Sequence, residues 1–137
     1  MAAVNDPTFG QLLRSLRVRA GLSQNQLARR AGVDPAYVNR LERAPAESTA
    51  FPSRRVVQAL AEALDAGPVD AERLLVAAGL CPEAISRLGG WDACLGDVAS
   101  VLADARLSAD DRAEFRELLR VVAARWRMSS PAGAPAR

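Results

Sequence analysis

The stretch SQNQLARRAGVDPAYVNRLE, residues 23–42, holds two helix starts separated by a glycine. Ser23 is placed as an N-cap, and Gln26 three positions later completes a capping-box pattern. Asp34 is a second N-cap, with Pro35 at the first helical position, where its missing N–H removes no bond. Helices this short do not stand alone in water, so tertiary packing must hold them. A short helix, a turn containing glycine and a second short helix make a helix-turn-helix. Gly32 can take the left-handed backbone of the sharp turn. Ala28 is small enough to let the second helix cross closely. Leu27, Ala31, Val33, Val38 and Leu41 are the apolar set that fixes the crossing angle. A generic helical hairpin would share the caps without needing the whole combination.

The rest of the chain also reads as helix, which makes the fold class all-α. Residues 9–20 place Phe9, Leu12, Leu13 and Leu16 at i, i+3, i+4 and i+7, and Gly21 ends that run. After a loop at 43–52, Ser53 caps a helix over 54–64 with Val56, Val57, Leu60, Ala61 and Leu64 inward. A fifth helix covers 70–78, with Leu74, Leu75 and Ala78 inward and Gly79 as terminator. Residues 8–80 thus form a five-helix domain. Residues 81–91 are a linker that admits one helical turn at 83–88. Residues 92–128 form a helical region, expected as an α-helical hairpin for dimerisation. Its first helix, 92–103, sets Leu95, Val98 and Leu102 beside Trp91. Its second, 109–128, is capped by Ser108, with Asp110 and Asp111 near its positive end. That helix carries a stripe of Phe115, Leu118, Leu119, Val122, Ala123 and Trp126. Residues 129–137, SSPAGAPAR, are a disordered tail by composition.

Composition removes whole classes of chemistry. All 18 basic residues are arginine, and the chain has neither lysine nor histidine. A Ser-His triad, a Ser-Lys dyad and a Schiff base are excluded. No phosphate-cradling glycine pattern is present, the acids are scattered, and no enzyme is expected. Cys81 and Cys94 cannot make a zinc site alone, so no metal or cofactor is expected either. In a reducing compartment both read as small core-filling residues. No apolar run is long enough to span a membrane, and MAAVNDPTF lacks the features of a signal peptide.

The charge is unevenly spread. Residues 8–55 carry nine arginines against three acids, a net of +6, whereas 56–80 are net −3 and 81–137 are neutral. An arginine-rich composition alone predicts an even spread. The basic segment is centred on the helix-turn-helix, as attraction to phosphate requires.

FGQLLRSLRVRAGLSQNQLARRAGVDPAYVNRLE, residues 9–42, resembles the phage-repressor type of helix-turn-helix, the Cro/C-repressor or XRE family of bacterial regulators. The likeness extends less tightly to about Gly79 and leaves residues 80–137 outside it. It implies that the helix over 35–41 is a recognition helix set in the major groove of double-stranded DNA. Pro35, Ala36, Asn39 and Arg40 would then face the bases, with Tyr37 toward the backbone edge. Arg40 can take a guanine edge bidentately, Asn39 can pair with adenine, and Pro35 and Ala36 offer apolar contact. Asn39 can equally be a solvated surface residue. Ser23 and Gln24, at a helix N-terminus, favour a phosphate, and the family's glutamine also steadies the recognition helix. Arg17 and Glu42 match a structural ion pair of the family. The stretch after Glu42 lacks the family's glycine, which weakens a backbone contact to phosphate there. Arg43, Arg54 and Arg55 remain phosphate-binding candidates.

The resemblance implies a sequence-specific DNA-binding transcription regulator without a cofactor, located in the bacterial cytoplasm and on the nucleoid when bound. A dimeric repressor reading inverted half-sites is the favoured form, with Phe115, Leu118, Leu119, Val122 and Trp126 as the homodimer contact. That stripe can instead pack back on the fifth helix. The rival function is an antitoxin-like regulator whose C-terminal helices bind a partner protein. A controller of a mobile element or a restriction system is a third form, also DNA-binding. The absence of lysine excludes the self-cleaving Ser-Lys domain of some phage-like repressors.

Overall fold

In the computed structural model of the protein, residues 6–48 and 51–129 are described, and they contain helices and connections but no strand. The order is α1 (Phe9–Arg19), α2 (Gln24–Ala31), α3 (Pro35–Arg43), α4 (Arg54–Ala63), α5 (Pro68–Ala77), α6 (Glu83–Ser86), α7 (Ala93–Ala103) and α8 (Ala109–Ser129). The described chain divides into two compact units, one ending at Gly90 and the other starting at Trp91.

Local chemistry sets the helix ends in the first unit. Ser23 and Gln26 form the reciprocal box at 2.8 and 3.1 Å, and Thr8 and Gln11 form a second one on α1. Asp34 Oδ1 accepts the Ala36 N–H at 2.7 Å, ahead of Pro35 at the first position of α3. Gly32 ends α2 with φ +69°, the left-handed conformation expected of it. α5 begins two residues before the expected start, because Gly67 is its N-cap and Pro68 opens it.

The core of this unit is continuous. Leu13, Leu27, Val38, Val57, Leu60 and Leu74 are fully buried, each contributing about 1.5–3 kcal/mol of apolar transfer. Phe9, Leu12 and Leu16 of α1 are buried with them, as is Ala28 at the α2 crossing. Gly10 is where α1 and α3 approach most tightly. A Cβ there would lie 2.3 Å from the Leu41 carbonyl oxygen and 3.0 Å from that of Glu42.

Residues 81–88, expected as linker, are tied to the first unit. The Arg54 Nη2 donates to the Cys81 carbonyl at 2.7 Å, and the Ala84 N–H donates to Glu72 Oε1 at 3.4 Å. These anchors are polar, so they leave no apolar period in the sequence. Both cysteines are exposed, contrary to the core-filling expectation. Cys81 follows the end of α5, and Cys94 sits in the first turn of α7 beside its cap, off any core-facing stripe.

In the second unit, Asp92 caps α7 by accepting the Cys94 N–H at 3.0 Å. Ser108 and Asp111 cap α8 reciprocally, and the Ser108 hydrogen bonds hold the Asp111 carboxyl below the usual carboxylate range. α8 continues to Ser129, and the remainder of the expected disordered tail lies outside the described residues. Among the described residues of this unit none is fully buried, so α7 and α8 enclose no core of their own. On α8, Leu118 is 58% exposed, Val122 54% and Trp126 71%, whereas Phe115 and Leu119 are half-buried.

Candidate nucleic-acid interface

α3 is held by its inner face and leaves its outer face open. Val38 and Leu41 lock it into the core, while Pro35, Ala36 and Arg40 are exposed. The Arg40 guanidinium lies 5.6 Å from the centroid of the Tyr37 ring, a cation–π distance that limits its rotamers before any ligand arrives. Tyr37 itself is half-buried against the core edge. Beside α3 stands the N-terminus of α2. Its box consumes the Gln26 N–H, leaving the N–H groups of Gln24 and Asn25 without an intrahelical acceptor. Ser23 is exposed there and Gln24 half-buried.

Behind this surface runs a connected polar network. Arg17 Nε and Nη2 donate to Glu42 Oε1 and Oε2 at 2.6 and 3.0 Å, and Arg17 Nη1 donates to the Leu22 carbonyl at 2.9 Å. The hydrogen bond to Glu42 raises the Arg17 pKa above its ordinary value. The side chains are 13% and 3% exposed, so the pair is largely out of water. Gln24 Nε2 then donates to Glu42 Oε2 at 2.8 Å, and Asn39 Nδ2 donates to Gln24 Oε1 at 3.1 Å. α1, α2 and α3 are thereby joined through four side chains.

The residues singled out in the sequence divide accordingly. Pro35, Ala36 and Arg40 share the open face of α3 with the adjoining Ser23 and Gln24. Asn39 is half-buried with its amide already engaged, so it is not a freely solvated side chain. Arg43 and Arg55 are exposed. Arg54 is drawn elsewhere: besides the Cys81 carbonyl, it faces Glu83 at 3.6 Å. Its guanidinium is engaged at the α4–α6 connection. The resemblance implied that Gln24 steadies α3, but not that Asn39 is its partner, because neither residue type at that spacing implies the other. Among the described residues no group of side chains is arranged to hold a metal.

A helix-turn-helix domain family matches residues 8–74. The chain belongs to the helix-turn-helix family of the Cro/C-repressor type. The matched segment takes in α1 to α4 and most of α5, the elements that carry the network and the open face of α3. This helix-turn-helix protein is a DNA-binding transcription regulator. Among solved structures it is similar to the restriction-modification controller protein C.AhdI from Aeromonas hydrophila, with 38% identity and a TM-score of 0.40. The similarity covers 50% of this chain and 97% of that one. No curated protein sequence matches the chain significantly. No helix among its described residues is long and apolar enough to cross a membrane.

Proposed function

We propose that the protein is a dimeric repressor that reads inverted half-sites through the major groove, with α3 as the reading helix. The observation that carries this reading is the exposed, ring-braced Arg40 on the open face of α3, beside the capped N-terminus of α2. A guanidinium so held matches the two acceptors of a guanine edge, and the α2 N-terminus suits an adjacent phosphate. Arg40, Pro35, Ala36 and Asn39 are assigned to bases; Ser23, Gln24, Tyr37, Arg43 and Arg55 are assigned to the backbone. The uncovered stripe of α8 supports pairing with a second copy. The same stripe supports the other reading, an antitoxin-like regulator that holds a different protein there.

Binding-site selection with the purified protein tests the proposal. The wild type should enrich a two-fold symmetric sequence. Arg40→Ala should lose roughly 1–3 kcal/mol on that site and relax one position in each half. An unchanged base profile in Arg40→Ala would remove α3 from the reading role.

A further inference from the structure

We propose that Asn39 reads a base with a fixed polarity, imposed on it from Glu42 through Gln24. This rests on α3 being the reading helix. The direction of the relay follows from chemistry. The Glu42 carboxylate, gripped by Arg17, can only accept hydrogen bonds. Gln24 must therefore turn its NH2 toward Glu42, at 2.8 Å, since its carbonyl there would set two acceptors against each other. The Gln24 oxygen is then left facing Asn39, and Asn39 must answer with its own NH2, at 3.1 Å. Either amide flipped alone would leave an acceptor facing an acceptor or a donor facing a donor. What remains on Asn39 is Oδ1, which has no protein partner among the described residues, and the second Nδ2 hydrogen.

An oxygen left without a protein partner selects a base that offers a donor in the major groove. Adenine offers N6–H and cytosine N4–H, whereas guanine and thymine offer only acceptors there. The second Nδ2 hydrogen can serve adenine N7, so the order is adenine, then cytosine, then the other two. An untethered asparagine could flip to meet either kind of edge. Gln24 and Glu42 are thus positioning residues for specificity, although neither has to touch a base for this.

Quantitative competition, with all four bases placed at each half-site position, tests the relay. The wild type should favour adenine or cytosine over guanine or thymine by roughly tenfold at one position that Asn39→Ala abolishes. Gln24→Met cuts the relay and keeps the Arg17–Glu42 pair. It should lower that preference to about twofold while the Arg40-dependent position keeps its own. Glu42→Gln, whose amide can both donate and accept, should do the same if it remains folded by circular dichroism. A Gln24→Met protein that binds all sequences more weakly with an unchanged base profile overturns the relay. So does an Asn39→Ala profile identical to wild type while Arg40→Ala relaxes one position, an outcome that spares the reading helix. A wild type with no base preference anywhere overturns both.

Discussion

Arg17 and Glu42 form a two-pronged ion pair between α1 and α3, at 2.6 and 3.0 Å, with the carboxylate almost wholly out of water. Removing one partner strands the other charge in a low-dielectric setting. Arg17→Met should cost about 3–5 kcal/mol in denaturant unfolding, because Glu42 loses its cation but not its burial. Replacing both residues with apolar ones of similar volume should cost less than either single change. A double-mutant cycle reads the coupling, and a coupling energy near zero would mean that the pair only fills space.

Gly10 faces a carbonyl rather than a side chain, so the neighbour cannot move aside. Gly10→Ala gains helix propensity of about 1 kcal/mol but must push α1 away from the end of α3. The net should be a loss of about 1–3 kcal/mol, in the range of overpacked cores. Gly67, with open space at its Cβ position and an ordinary N-cap conformation, is the control. Gly67→Ser should be neutral or stabilising by a few tenths of a kcal/mol, since a hydroxyl can supply a cap bond now missing there. Equal losses for the two variants would contradict the close approach at Gly10.

These two sites mark how far the sequence could be read. Caps and apolar periods are local, so Ser23, Asp34 and Ser53, with the stripes of α1 to α5, were legible within a residue or two. Arg17 and Glu42 were legible only through resemblance, because no local pattern couples positions 25 apart. Gly10 carries no local signal, since its role is a backbone contact with α3. Arg54 and Arg55 look identical in sequence. Their rotation about α4 decides that one meets the Cys81 carbonyl and the other solvent. Within the linker expected over 81–91, the helical turn at Glu83–Ser86 was legible, but its polar anchors to Arg54 and Glu72 were not, because they leave no apolar period.

Arg54 and Arg55 should therefore behave differently. Arg55→Ala should weaken binding to all DNA sequences alike and reduce the slope of log affinity against log salt by about one. Arg54→Ala should leave that slope close to wild type and instead loosen residues 81–86. Amide exchange around Ala84 should quicken in Arg54→Ala alone. A matching drop in salt slope for both variants would return Arg54 to the phosphate set.

Under the proposed function, the stripe on α8 is what would link the second unit to DNA reading. Leu118, Val122 and Trp126 stay more than half exposed, and α7 gives the unit no enclosed core. Pairing two copies of α8 would cover both stripes and tether two reading helices, as inverted half-sites about 34 Å apart require. Truncation after Gly90 is preferable to truncation after Leu80, because the latter would discard the anchors of Arg54 and Glu72. The truncated protein should stay folded, sediment as a monomer and bind the full site far more weakly. Its half-site preference should persist, since the reading residues are untouched and only the linkage of two readers is lost. Trp126→Glu in the full-length chain should do the same without shortening it, by placing a charge within the paired stripe. Sedimentation at micromolar concentration decides the premise. A full-length monomer that binds one half-site as tightly as two would leave α8 to a different protein and favour the antitoxin-like reading.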